Sequence, residues 1–381
     1  MKIPFGKPIL DDAERNAVMD VLSGPILVHG PKATDFEVAF AAYTEAPYAV
    51  SVSSCTAGLH LVYFAKGIGI GDEVIVPAMT HTATAHAVEF TGATPVFVDA
   101  ETQTGNINID AIEAAITERT KAISIVHFLG MPVDVTRVNS IAEKYGLLVV
   151  EDAALAVGSK LDGVHAGLLG DVGAFSFYPV KHMTTAEGGM VITKDKALAD
   201  DIRLKKAFGV DRTHGERKIP GMYDVVDLGY NYRMSEIHAA IGIEQIKKLP
   251  DFMAKRETNY QSLERALGDI GEVMLLQSTY GRFQSSYYCL SAILDAGIAH
   301  LRADIMDVMN AEGVGTSVYY PQPVPRMTYY REKYGYDAKS YPNAERISDQ
   351  SIALPVGPHL NENDMETVAA ALKNAIHEVT K

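Results

Sequence analysis

The 381-residue chain contains no tryptophan and only two cysteines, Cys55 and Cys289, with no Cys-x-x-Cys pair. Two isolated thiols build neither a disulfide framework nor a thiolate metal site, so each reads as a small buried hydrophobe and no metal is expected. Positive charge is also scarce: 34 Lys and Arg face 48 Asp and Glu, a net −14 at pH 7. That average field repels a phosphate backbone, which argues against nucleic-acid binding as the main task but leaves room for a local pocket holding one small anion. No run reaches the ~20 apolar residues of a membrane span, so no membrane partner is expected. The opening Met1-Lys2-Ile3-Pro4-Phe5-Gly6 lacks the basic-then-apolar order of a secretion signal, and a cytoplasmic setting is the expectation. Internal repeats and low-complexity tracts are absent as well, which removes solenoids and repeat arrays.

The composition present is that of a globular protein, 47% hydrophobic and 22% charged, long enough for two or three domains with a large core. Short apolar runs at Tyr48–Val52, Glu73–Pro77, Pro95–Val98, Ala122–His127, Leu147–Glu151, Ala174–Tyr178 and Met190–Thr193 alternate with helical patterns. The helical stretches are Asp11–Leu22, Thr56–Lys66, Ile109–Thr117, Val135–Tyr145 and Lys196–Lys206. Continuous apolar runs bounded by Gly, Pro or Asp and separated by helices predict an α/β fold, with a mostly parallel central sheet covered on both faces. The rhythm changes at Leu249-Pro250. A helical stretch Asp251–Leu267, a strand-like run Tyr287–Leu294, a proline-rich segment from Val318 to Pro325 and a last helix Glu362–Glu378 follow. Residues 1–250 therefore read as a large α/β domain and 251–381 as a smaller C-terminal α+β domain.

Gly67-Ile68-Gly69-Ile70-Gly71 imitates a dinucleotide fingerprint, but it follows a helix and precedes a strand, the reverse of what pyrophosphate binding needs. A helix C-cap and turn is the better reading. Ser53-Ser54-Cys55-Thr56-Ala57-Gly58 has the right order, leaving a strand and opening a helix. Its outward N–H groups suit a phosphate monoester; a plain N-cap by Ser54 or Thr56 is the alternative. The strand through Val149 and Val150 ends in Glu151-Asp152, whose side chains point to opposite faces, so only one can meet a ligand at the strand's carboxyl end. An Asx turn is the competing role for Asp152. A later strand delivers Ser176 to a Pro179 turn that presents Lys181 among apolar and small neighbours, before paired glycines 188 and 189. Desolvation there would lower the amine's pKa and make it a nucleophile, although most lysines are solvated surface groups. A phosphate cradle, an acid for a ring nitrogen and an amine for an aldehyde are together what pyridoxal 5'-phosphate requires.

These residues also carry a resemblance. Gly71-Asp72-Glu73-Val74-Ile75-Val76-Pro77, Gly92-Ala93-Thr94-Pro95-Val96-Phe97-Val98-Asp99, Glu151-Asp152-Ala153-Ala154, Ser176-Phe177-Tyr178-Pro179-Val180-Lys181, Glu187-Gly188-Gly189-Met190 and Gly229-Tyr230-Asn231-Tyr232-Arg233-Met234 occur in order. The chain thereby resembles, nearly end to end, the DegT/DnrJ/EryC1/StrS aminotransferases, nucleotide-sugar enzymes of fold-type I that use pyridoxal phosphate. The resemblance implies that Lys181 holds the cofactor as a Schiff base and moves the proton. It implies Asp152 at the pyridinium nitrogen, Thr56, Ala57 and Ser176 at the phosphate, and His81 stacked on the ring. Asn231 would reach the phosphate of a neighbouring subunit, making a homodimer with a shared site. Cys55 stands where the family usually has glycine, and Leu155 and Ala156 replace a common Gln-His. Tyr320-Pro321-Gln322-Pro323 replaces a Tyr-x-Pro-Leu-His pattern. A dehydratase offshoot carries His in place of the lysine, but Lys181 keeps the aminotransferase spacing from Ser176. The implied reaction moves the amine of L-glutamate, leaving 2-oxoglutarate, to C4 or C3 of a nucleotide-linked keto-deoxysugar for surface polysaccharide or glycoside biosynthesis. His182, Arg233 and Tyr320 are candidates for touching substrate. A transaminase of a free keto-cyclitol, or a non-catalytic regulator of the same fold, are the alternatives.

Overall fold

The computed structural model describes residues 2–211 and 222–381. A seven-stranded sheet forms the larger part, from β1 (Tyr48–Val52), β2 (Glu73–Pro77), β3 (Thr94–Val98), β4 (Thr120–Val126), β5 (Leu148–Asp152), β6 (Val172–Ser176) and β7 (Gly189–Thr193). Their order across the sheet is β1-β7-β6-β5-β4-β2-β3. Neighbours from β6 to β3 pair parallel, while β7 runs antiparallel to both β1 and β6. The expected mostly parallel sheet is thus present, with one reversed strand.

Burial on both faces explains the unbroken apolar runs. Val74 and Val76 pack with Leu59, Val62 and Tyr63 of the helix Cys55–Ala65, while the intervening Ile75 packs with Val138 and Ala142 of the helix Val135–Tyr145. This is the two-residue alternation of a strand with no solvent face. Further along the second face, Phe36 and Phe40 of the helix Pro31–Thr44 meet Phe175 and Phe177. The glycines at 67 and 71 adopt positive φ in turns after the Cys55–Ala65 helix, so the apparent fingerprint is a helix exit.

A second, three-stranded antiparallel sheet, β8 (Val273–Leu275), β9 (Leu290–Leu294) and β10 (Ser351–Leu354), is ordered β8-β9-β10. It shares a core with the helices Arg302–Ala311 and Glu362–Val379. One helix, Glu236–Leu267, joins the two parts: Ala239, Ile246 and Leu249 pack in the large core, Tyr260, Leu263 and Leu267 in the small one. The boundary expected at residue 250 falls inside this helix. Pro250 removes one backbone donor, but burial on either side keeps the helix continuous. Among the described residues, no helix is long and apolar enough to cross a membrane.

At the carboxyl ends of the parallel strands two segments touch backbone to backbone. A Cβ at Gly189, the first residue of β7, would lie 2.5 Å from the carbonyl carbon of Ser54 and 2.6 Å from the Cys55 nitrogen. Only glycine lets β7 start beneath the N-terminus of the Cys55–Ala65 helix. Gly189→Ala should therefore lower stability by about 1–3 kcal/mol, read in thermal melts. An unchanged melting temperature would show that the helix end shifts freely.

Candidate active site

The loops after β1, β2, β5 and β6 surround one cavity of about 580 Å³, at the strand ends where open α/β sheets bind ligands. Asp152, the last residue of β5, lines it and is 4% exposed. Its Oδ1 accepts the Ala154 N–H at 3.1 Å and its Oδ2 the Thr84 hydroxyl at 2.7 Å. The Asx turn and a position facing the cavity thus coexist. Glu151 points to the opposite face, accepting N–H groups of Gly167 and Gly170 at 2.6 Å and contacting His127 Nε2 at 2.7 Å. Alternation along β5 therefore selects Asp152. Among the described residues, no basic side chain is within ion-pair distance of this buried carboxyl group, which faces the cavity.

Lys181 lines the same cavity. Its turn is closed by its own N–H to the Tyr178 carbonyl at 2.9 Å, and by Thr185 N–H to the Phe177 carbonyl at 3.0 Å. Its Nζ lies 5.4 Å from the centre of the Tyr288 ring. Burial pushes the ammonium's pKa below its ordinary value of 10.5, and the charge of Asp152 partly opposes the shift. The unfolded chain therefore holds this proton more firmly than the folded one, and stability rises with pH up to the unfolded value. Lys181→Met should stabilise the cofactor-free protein near neutral pH by about 0.5–2 kcal/mol, in the range of single stabilising changes. The gain should shrink as pH approaches 10.5. Thermal melts across that interval check it; a variant that melts lower at neutral pH would contradict it.

Ser54 is the N-cap of the Cys55–Ala65 helix, its hydroxyl accepting the Ala57 N–H at 3.1 Å. Ala57 is consequently satisfied and buried, whereas helix geometry leaves the Cys55 and Thr56 N–H groups without intrahelical acceptors. Ser54, Cys55 and Thr56 line the cavity with Ser176 from the end of β6. Both cysteines are buried free thiols, as the composition suggested. Cys55 Sγ lies 3.4 Å from the Ala174 carbonyl and 3.8 Å from Asp152 Oδ1, and burial followed by the Asp152 charge raises its pKa well above the ordinary value.

His81 caps the helix Thr82–Glu89 through Nδ1, which accepts the Ala83 N–H at 3.1 Å, and its ring meets Tyr320 edge-on at 5.6 Å. Tyr320 lines the cavity, as a substrate-contacting residue would. His182 does not: it is 2% exposed and turns away, donating from Nε2 to the Ser286 carbonyl at 3.0 Å. Arg233 lies over Phe208 at 4.9 Å and lines a separate cavity with Glu37 and Lys206. Asn231 is exposed, bridges to Ala207 and does not line the central cavity of this subunit. Sequence patterns missed Thr84 and the wall formed by Tyr288 and Tyr319, whose hydroxyls lie 2.8 Å apart. Nothing local marks them, although Tyr288 does lie within the expected strand-like run of 287–294.

The donor set fits pyridoxal phosphate. A helix start with open N–H groups and a hydroxyl suits its phosphate, a buried carboxylate without a cation suits its ring nitrogen, and a desolvated amine suits its aldehyde.

Residues 8–373 match the model of the DegT/DnrJ/EryC1/StrS aminotransferase family. The spore coat polysaccharide biosynthesis protein SpsC of Bacillus subtilis is 36% identical over 380 residues, covering 98% of this chain and 97% of its own length. Spr1654 of Streptococcus pneumoniae, assigned as a sugar aminotransferase and solved in its PMP form, superposes with a TM-score of 0.93 at 29% identity, covering 99% of this chain and 100% of that one. PseC of Helicobacter pylori, an aminotransferase involved in pseudoaminic acid biosynthesis, superposes with a TM-score of 0.92 at 27% identity, with 99% and 100% covered.

Proposed function

We propose, since the chain belongs to the DegT/DnrJ/EryC1/StrS aminotransferase family and uses pyridoxal 5'-phosphate, that it moves the amine of L-glutamate to the C4 or C3 keto group of a nucleotide-linked keto-deoxysugar. The observation that carries this reading is the convergence of Lys181 and Asp152 on one cavity at the strand ends. The spore coat polysaccharide role of the Bacillus relative and the sugar aminotransferase assignment of the Streptococcus neighbour support the sugar class.

When bound, the cofactor supplies an electrophilic carbon for the amine and a protonated ring that accommodates the electron pair left by the α-proton. Asp152 would hold the proton on the ring nitrogen. The Thr56 segment, with Ala57 buried behind it, and the Ser176 hydroxyl would hold the phosphate, and His81 would face the ring. Lys181 would anchor the cofactor. In its neutral form the Nζ would take the proton from the glutamate α-carbon and hold it for return. Burial favours that neutral amine. The Tyr288, Tyr319 and Tyr320 wall excludes water from this transfer.

The active unit in this reading is a cytoplasmic homodimer. Val226 and Leu228 are 59% and 66% exposed, beside Phe208 at 48% and close to Asn231 in sequence. Apolar side chains so exposed on neighbouring segments are what a second copy would cover. Asn231 of that copy then completes the phosphate site.

The test is to add L-glutamate to cofactor-saturated protein, measure 2-oxoglutarate, and then offer 3-keto and 4-keto 6-deoxyhexoses linked to UDP, dTDP or GDP, alongside a free keto-inositol. An aminated nucleotide sugar, identified by mass, is the expected product. Amination of the free cyclitol alone overturns the acceptor, and no 2-oxoglutarate overturns the donor.

A further inference from the structure

Asp152 does not hold its own orientation. Its carboxylate is fed by two donors from different elements: the Ala154 N–H on Oδ1 at 3.1 Å, two residues on, and the Thr84 hydroxyl on Oδ2 at 2.7 Å, from the helix Thr82–Glu89. Thr84 Oγ1 also lies 2.7 Å from Thr80 Oγ1. Both threonines are 0% exposed. The direction of this chain follows from chemistry. An ionised carboxylate only accepts, so the Thr84 proton is committed to Asp152, and the Thr80 hydroxyl must donate to Thr84.

The third neighbour, the Cys55 thiol, has one proton for two acceptors. Its Sγ is nearer to the Ala174 carbonyl, at 3.4 Å, than to Asp152 Oδ1, at 3.8 Å. The thiol therefore packs against the carboxylate rather than fixing it. Thr84 is left as the side-chain donor that sets the torsion of Asp152 from outside its own strand. A charge-assisted bond of this kind is about twice as strong as a neutral one, and a donor that itself accepts a hydrogen bond is polarised further. His81, the N-cap of the same short helix, lines the cavity, so one element contributes both to the cavity wall and to the orientation of the carboxylate.

From this geometry we infer that Thr84, supported by Thr80, is a positioning residue that aims the Asp152 carboxylate at the cofactor's ring nitrogen. The inference rests on the role proposed for Asp152 above. It does not depend on which donor or sugar the enzyme uses.

Three variants test it: Thr84→Val, which keeps the shape and loses the hydroxyl; Thr84→Ser, which restores it; and Thr80→Val, which removes the second link. Cofactor dissociation constants are measured by equilibrium titration with pyridoxal 5'-phosphate, and crystals of the cofactor-free variants show the Asp152 torsion. Thr84→Val should weaken cofactor binding about ten- to a hundredfold, the range of a lost charge-assisted bond, and let the carboxylate rotate. Thr84→Ser should return binding to within about threefold of wild type, and Thr80→Val should fall between. In the glutamate half-reaction, kcat should drop with KM unchanged.

Wild-type cofactor affinity together with an unrotated Asp152 in Thr84→Val overturns the inference. So does a loss that Thr84→Ser fails to rescue, since that marks a packing defect. If wild-type protein binds cofactor but does not turn over glutamate, the proposed donor fails, while the affinity and torsion still decide the role of Thr84. If Asp152→Asn leaves cofactor affinity and the ionisation of the ring nitrogen unchanged, the role of Asp152 fails and the inference falls with it.

Discussion

Lys181→Ala is expected to lose transamination by ~10⁴-fold, the upper range for a positioned proton-transfer group, and to be no longer crosslinkable to its cofactor. Borohydride treatment of the cofactor-saturated wild type should leave a reduced adduct on the tryptic peptide containing Lys181. The variant should bind the cofactor yet release all of it on denaturation. No other amine should substitute, since Lys181 is the lysine among the cavity's lining residues. Lys181→Arg separates charge from chemistry: guanidinium brings a permanent positive charge to the cavity but supplies no neutral amine at accessible pH. Equal losses in both variants assign the effect to the amine. An adduct on another peptide, or residual activity above a few per cent in Lys181→Ala, would remove Lys181 from the mechanism.

The second large effect belongs to Asp152. Asn keeps the shape of the side chain, and its carbonyl oxygen can still accept from Thr84, but it brings no negative charge to hold a proton on the ring. Flipped the other way, the amide oxygen accepts the Ala154 N–H that now reaches Oδ1 and the N–H₂ donates to the Thr84 hydroxyl, so the neutral side chain keeps its partners. Asp152→Asn should reduce kcat by about 10²–10³-fold, the scale of one removed electrostatic stabiliser. Stability of the cofactor-free protein should change little, because the buried carboxylate has no cation among the described residues whose loss would be felt. The contrast between kcat and melting temperature is the measurement. A variant that loses stability but retains kcat would make Asp152 a structural residue.

The parts of this site that chain patterns reveal are those carried on single segments. The strands Tyr48–Val52 and Glu73–Pro77 and the helix Val135–Tyr145 coincide with their expected bounds, because buried β-branched runs and a clear amphipathic stripe each signal locally. The helices Pro31–Thr44 and Thr82–Glu89 do not announce themselves. The second, Thr-Ala-Thr-Ala-His-Ala-Val-Glu, is only eight residues long and has no broad apolar stripe, and it is stabilised by tertiary burial of Thr84, Ala85, Ala87 and Val88. No local pattern therefore marks Thr84, although it touches Asp152. Tyr288 and Tyr319 were hidden for a different reason: they come from the other sheet's neighbourhood and meet Lys181 only through the fold. Pro250 misled in the opposite direction, since a residue that usually ends helices sits inside one whose flanks are both buried.

That helix of 32 residues, Glu236–Leu267, spans about 48 Å at 1.5 Å per residue and is a structural member of both cores. Cutting the backbone at its middle would strip each core of a wall, so a protease should find no point there that frees a stable C-terminal fragment. Amide exchange at its centre should be as slow as in the large sheet. The two parts can then tilt only by bending one shared rod. Opening and closing of the cavity is then expected from the loops at its rim, such as the Ser317–Tyr320 stretch, rather than from a hinge between independent bodies.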